Sequence, residues 1–322
     1  VYIIDAVTGA SIWSGGATGA QAWTTDFAGM DYSFPDSVGA VDINLDGLAD
    51  MWFAADTGGQ LWRFDIRNGQ TLENLVTGGV IADLGVASGT NEEAQNRRFF
   101  ATPSVALQRD PEDGSPQMAV ILGSGFRPSP LSTIATNRLY SIRLEDVFSP
   151  PGTYTSVEES QLFDVTGTAS DTPLEAADVD AFNSSAGWFY TLPQIGEKAF
   201  TTPLVLNNEI IITTYTPGGT NTAACQPTAG ASRVYGFDLT AGALVFQQDL
   251  STVGLPPEPT INFIDGTAST GNPPSGSDPG DDQDAGGVCP SGTEVVEFAG
   301  IERISDDTWC NTSQKTYWSK ER

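Results

Sequence analysis

The sequence has no histidine, only three cysteines, and 14 lysines and arginines in 322 residues. Each shortage removes a class of chemistry. Without imidazole there is no Ser-His-Asp or Cys-His relay, no histidine-ligated zinc, copper, haem or non-haem iron, and no side chain that titrates near neutrality unless its surroundings shift it. The basic residues face 41 acidic ones, a net charge of −27, so nucleic acid is not an expected partner: phosphate binding needs a basic face. No apolar run approaches the roughly 20 residues of a membrane span, so no membrane span is expected. No charged-then-apolar leader opens the chain. Val1-Tyr2-Ile3-Ile4-Asp5 reads as the middle of a strand, which makes this a mature or partial chain.

What is present points to a folded protein. Residues that are 39% hydrophobic and 10% aromatic are enough for a core, while 35 glycines and 20 prolines suit short strands joined by many turns. One phrase recurs: an aliphatic residue, an aromatic or aliphatic pair at alternate positions, Asp, and a turn with Gly. Its copies are Val1-Tyr2-Ile3-Ile4-Asp5, Leu61-Trp62-Arg63-Phe64-Asp65, Leu139-Tyr140-Ser141-Ile142-Arg143 and Val234-Tyr235-Gly236-Phe237-Asp238. Alternation predicts half-buried strands, with Asp and Gly forming the exit turn. Apolar strands precede the later copies: 38–41 and 51–54, 102–107 and 118–123, 202–206 and 209–215. Repeated antiparallel units of this kind predict an all-β fold, a β-propeller. Copies beginning at 1, 61, 139 and 234 lie farther apart than the roughly 40–50 residues of compact propeller repeats, so insertions separate the blades. Three full blades do not close a ring, so further blades lie upstream or one escapes the pattern. Thr172-Pro173-Leu174-Glu175 carries helix-start signals and predicts a short helix over 173–182. The stretch 254–288, rich in Pro, Gly, Ser and Asp, predicts a flexible acidic insert within a single propeller domain over 1–322.

The sharpest local signal is Asp42-Ile43-Asn44-Leu45-Asp46-Gly47-Leu48-Ala49-Asp50. Calcium takes six to eight hard oxygen ligands, and one loop supplies most of them when oxygen side chains stand at positions 1, 3, 5 and 9 with a backbone carbonyl at 7. Asp42, Asn44, Asp46 and Asp50 are the side-chain candidates, Leu48 offers its carbonyl, and Gly47 sits where the loop must turn sharply. Ile43 and Leu45 are placed to anchor it from within. Position 12 is Phe53 and the flanks are strand-like, so this is a metal-clamped turn between strands rather than an EF-hand. Such a donor set suits Ca²⁺ over Mg²⁺.

These residues, continued by Ala55-Asp56-Thr57-Gly58-Gly59-Gln60-Leu61-Trp62-Arg63-Phe64-Asp65, resemble the calcium loop and blade of the PilY family of type IV pilus tip-associated adhesins. Further matches are Ile121-Leu122-Gly123-Ser124-Gly125, Gly187-Trp188-Phe189-Tyr190, Gly196-Glu197-Lys198, Thr213-Thr214-Tyr215-Thr216-Pro217 leading to Cys225 and Ser232-Arg233-Val234-Tyr235, and the closing Thr316-Tyr317-Trp318-Ser319. The resemblance implies a modified, quinoprotein-like β-propeller forming the C-terminal part of a larger protein. It implies a non-enzymatic pilus adhesin and assembly factor at the cell surface, reached through the periplasm and outer membrane. Minor pilins of the pilus tip complex and a host or abiotic surface would be its partners, and Ca²⁺ occupancy would regulate extension, retraction and attachment. Arg143 departs from the repeat, the acidic insert near 278–284 has no clear counterpart, and the family's N-terminal half is absent.

Two other functions remain in view. A quinone-dependent propeller dehydrogenase would use adjacent cysteines against its cofactor, and Cys225, Cys289 and Cys310 are far apart in sequence. A generic extracellular calcium propeller would carry several such loops, and one is present. Cys289 and Cys310 could staple the insert to the last strands, while Cys225 could pair with either, pair outside this chain, or be free.

Overall fold

A computed structural model describes residues 1–85, 92–110, 112–218, 220–221, 226–227, 229–265, 293–299, 302–303 and 309–310. The chain divides into two compact units, Val1–Glu258 and Pro259–Arg322.

Among the described residues, the first unit holds four main sheets and one small two-stranded pair. The first holds β1 (Tyr2–Ile4), β2 (Ser11–Ala17) and β3 (Thr25–Phe27). The second runs from β4 (Gly39–Val41) through β5 (Met51–Ala55) and β6 (Gln60–Ile66) to β7 (Val76–Asp83). After the short helix α1 (Glu92–Gln95), the third repeats that meander with β8 (Ser104–Arg109), β9 (Pro116–Gly123) and β10 (Arg138–Leu144). Two short parallel strands follow, β11 (Val157–Glu158) on β7 and β12 (Phe163–Asp164) on β13 (Gly187–Thr191), the outer strand of the third sheet; the helix α2 (Val179–Asn183) lies between β12 and β13. The fourth sheet holds β14 (Lys198–Ala199), β15 (Leu204–Leu206) and β16 (Glu209–Thr216). A small pair, β17 (Thr220–Asn221) and β18 (Gln226–Pro227), precedes its last strands, β19 (Ala231–Asp238) and β20 (Leu244–Val253).

The expected half-buried strands are instead covered on both faces, and the sequence parity shows why. Along β5, Met51, Phe53 and Ala55 pack toward the third sheet, against Met118, Val120, Leu122, Tyr140 and Ile142. The alternate residues Trp52 and Ala54, with Trp62 and Phe64, pack toward the first sheet, against Trp13 and Phe27. Along β9, Ala119 and Ile121 face the fourth sheet with Leu139, Trp188 and Tyr190, meeting Ile210, Ile212, Tyr235 and Phe237. Both parities are apolar, the pattern of a sheet buried on two sides. Each large side chain removed from water contributes about 1.5–3 kcal/mol. Edge-to-face rings interlock the first interface, as where Phe27 meets Phe64 at 5.3 Å. Among the described residues, no core cluster joins the first sheet to the fourth. The described residues of the first unit thus form a predominantly β architecture, a series of stacked sheets that do not close into a ring.

Three local expectations are corrected. The helix expected over 173–182 is confined to α2, Val179–Asn183; ahead of it Ala169 and Thr172 exchange backbone hydrogen bonds, 3.0 and 2.9 Å, in a tight turn just before Pro173. The exit-turn role holds for Asp5 and Asp238, which accept the N–H groups of Val7 and Thr8, and of Thr240 and Ala241. Asp65 instead pairs with buried Arg63 at 2.7 Å and accepts the Tyr154 hydroxyl at 2.7 Å. The stretch 254–288 is not structureless from its start. In the second unit β21 (Pro259–Asp265) pairs with β22 (Thr293–Ala299) over seven residues, and β22 also pairs with β23 (Glu302–Arg303) and β24 (Trp309–Cys310). The acidic run 278–284, Cys225, Cys289 and the closing 316–319 lie outside the described residues.

Gly187 starts β13 at φ +137°, and a Cβ there would stand 2.1 Å from the Ser141 carbonyl oxygen. Gly187→Ala is expected to cost about 3 kcal/mol or more. A urea unfolding midpoint unchanged from the parent would contradict this packing.

Candidate metal loop and its setting

Asp42–Asp50 joins β4 to β5, closed at its base by the Asp50 N–H to Val41 carbonyl bond at 2.9 Å. The Asp50 carbonyl accepts the Ile66 N–H at 2.7 Å, tying the loop to the end of β6. Within it, each predicted side chain is fixed by the backbone. Asp42 accepts the N–H groups of Asp46 (3.2 Å) and Gly47 (2.8 Å). Asn44 Oδ1 accepts the Asp46 N–H at 2.9 Å, and Asp46 accepts that of Leu48 at 2.8 Å. Asp50 folds back over the start of the loop, accepting the Ile43 and Asn44 N–H groups at 2.9 and 3.3 Å and the Asn44 Nδ2 at 3.1 Å. Charge-assisted bonds of this kind draw three carboxylates into nine residues despite their like charge.

The turn needs left-handed backbone at two places, Gly47 (φ +89°) and Leu45 (φ +59°). Leu45 is therefore strained by about 1–2 kcal/mol and is 71% exposed; it does not anchor the loop. Ile43 alone does so, packed against the core between the second and third sheets. Leu48, also exposed, sits on the rim.

The donor set is all hard oxygen, three carboxylates, one amide and one carbonyl, and its chemistry fits calcium. The side chains are turned onto the loop's own N–H groups: among the described residues, no three acidic, cysteine or histidine side chains converge closely enough to hold a metal ion.

Two buried ionic residues, quoted in the sequence only within the Gly196-Glu197-Lys198 match, stand at the entry to the fourth sheet, Lys198 opening β14. Glu197, 1% exposed, accepts Thr214 Oγ1 (2.5 Å) and the Tyr235 hydroxyl (2.8 Å), while its other oxygen accepts the Gln194 N–H. Its neighbour Lys198 pairs with no carboxylate among the described residues. Nζ donates to the carbonyls of Gly196, at 2.6 Å, and Ser132. Asn137 donates to the Glu197 carbonyl at 2.7 Å. The pair thus clips segment 126–137 to segment 192–199. The signal was visible as a charged dipeptide, Glu197-Lys198, in an uncharged stretch.

No family model matches the chain. It is 24% identical over 285 residues to the type IV pilus biogenesis factor PilY1 homolog of Xylella fastidiosa, covering 79% of this chain. The chain spans only 17% of the length of that relative. Its fold is similar to the crystal structure of the Pseudomonas aeruginosa PilY1 C-terminal domain, with a TM-score of 0.58 and 17% identity. That match covers 94% of this chain and 64% of the solved one. The chain therefore resembles the C-terminal domain of the PilY family in both sequence and fold.

Burial pushes Lys198 down to about 8. Between that value and the ordinary lysine range near 10.5, the unfolded chain binds the extra proton, so stability rises with pH. Urea midpoints should climb from about pH 8 until about pH 10, where tyrosines of the unfolded chain begin to ionise. Lys198→Met should flatten that rise; a parent protein without it would contradict the assignment.

Proposed function

We propose that this chain is the calcium-binding C-terminal part of a type IV pilus tip-associated adhesin and assembly factor, with no catalytic role. The observation that carries this reading is the nine-residue, all-oxygen loop mounted on the β4–β5 hairpin, in a chain similar to PilY1 proteins along most of its length. In this reading the stacked sheets are blades of a modified propeller completed by blades outside this chain.

Asp42, Asn44, Asp46 and Asp50 would hold Ca²⁺ through their side chains and Leu48 through its carbonyl. The ion would supply positive charge to a loop that now relies on N–H groups alone, and would tighten the turn between two strands of a buried sheet. Binding only the folded loop stabilises it by mass action. Occupancy would then govern pilus extension, retraction and attachment through the pilus tip complex and its minor pilins. An oxygen-only calcium site suits the millimolar calcium of the periplasm and cell exterior, which agrees with a place on the cell surface in contact with host or abiotic material. The dehydrogenase reading gains nothing specific: the three cysteines are far apart in sequence and the oxygen donors belong to one loop.

Asp50→Ala removes the carboxylate that closes the loop and should weaken calcium binding about tenfold or more, with the circular dichroism spectrum retained. Calorimetry showing equal affinity in parent and variant would sink the site assignment.

A further inference from the structure

A cavity of about 440 Å³ opens where β7 and β11 end beside segment 94–97 and the start of β10. Its walls include Asp83, Arg97, Arg138, Glu158 and Glu159. Glu159 is already engaged: it accepts the Tyr140 hydroxyl at 2.6 Å and is paired with Arg138, whose guanidinium lies 4.1 Å from the Phe189 ring centroid. Arg97 is different. Its side chain is 5% exposed, its Nη1 donates to the Gln95 carbonyl, and its Nε has no hydrogen-bond partner among the described residues. The nearest carboxylate oxygen, on Glu159, is 3.8 Å away from that nitrogen. A guanidinium this buried is costly without a bonded anion.

The same cavity holds the opposite imbalance. Asp83 and Glu158 are register partners on the parallel strands β7 and β11, and both acidic residues line the cavity. Like charges on neighbouring strands repel, and a cation between them relieves the repulsion. Glu159 thus serves two guanidiniums, paired with Arg138 and 3.8 Å from Arg97, while among the described residues Asp83 and Glu158 have no ion-pair partner. Neither a simple anion nor a simple cation answers both.

We propose that this cleft binds a small dipolar ligand of amino-acid type, its carboxylate on Arg97 and its ammonium end between Asp83 and Glu158. The volume exceeds what an ion needs and falls within the roughly 300–1,000 Å³ of small-molecule sites. The wall carries an excess of one negative charge, which favours a ligand with one surplus cation, so a basic amino acid is the appropriate probe.

Calorimetry on the whole chain with L-lysine, cadaverine and acetate separates the parts of the claim. L-Lysine should bind with a Kd of about 1 mM or tighter. Cadaverine, which lacks the carboxylate, and acetate, which lacks the ammonium group, should each bind at least about tenfold more weakly. Arg97→Gln should abolish the preference for L-lysine over cadaverine. Because Arg97 is buried, Glu158→Gln at the exposed rim provides a second variant: it should weaken L-lysine about tenfold with an unchanged circular dichroism spectrum. No heat with L-lysine, equal binding of L-lysine and cadaverine, or an unaltered response in Glu158→Gln would each overturn the proposal.

Discussion

The covering of the central strands on both faces is the constraint on which the rest of this structure depends. Once β5, β6, β9, β10, β16 and β19 each lie between two layers, their side chains must be apolar at both parities. Charge is then confined to strand ends and connecting loops. A chain with a net charge of −27 consequently carries its acidic groups where loops are shaped, and the Asp42–Asp50 turn is one instance among the described residues. Its carboxylates are tolerable because five backbone N–H groups, those of Ile43, Asn44, Asp46, Gly47 and Leu48, point at them.

The few charges that do enter the layers act as ties to the loops. Arg63, 1% exposed in the middle of β6, pairs with Asp65 and reaches the carbonyls of Asp146 and Ser149, holding down the segment after β10. Arg143, where the repeat elsewhere has Asp, donates to the carbonyls of Phe182 and Asn183 and stacks over the Phe182 ring, fixing α2. Asp56, fully buried, accepts the N–H groups of Gly58 and Gln60 and the Trp62 indole, and so closes the β5–β6 turn. Burial still pushes its carboxyl above the usual range. Removing one partner from such an arrangement costs about 3–5 kcal/mol, because the other charge is left buried.

The inner strands were legible in the sequence because apolar runs bounded by Pro and Gly have few alternatives, and the Asp42–Asp50 loop was legible as a turn between strands because Asp, Asn and Gly at fixed positions shape a turn. The outer strands β7, β13 and β20 were not recognised as members of the units. β20 reads Leu244-Val245-Phe246-Gln247-Gln248-Asp249, too polar for the pattern of the inner strands. The helix start was misplaced because Thr172 spends its backbone on Ala169 rather than on a cap. Leu45 was read as an anchor from position alone, and the left-handed backbone that the turn requires sends it to solvent. Arg97 carries no sequence signature, since its meaning lies in what fails to surround it.

On the proposed calcium reading, an ion would need to order only nine residues, because the sheet below the strained, oxygen-rich turn is already fixed. Amide hydrogen exchange with and without calcium tests this directly. The account predicts added protection at residues 42–50, with the amides of β5 and β6 unchanged because the core already holds them. Exchange identical in both conditions across 42–50, or protection gained throughout the second sheet instead, would contradict it.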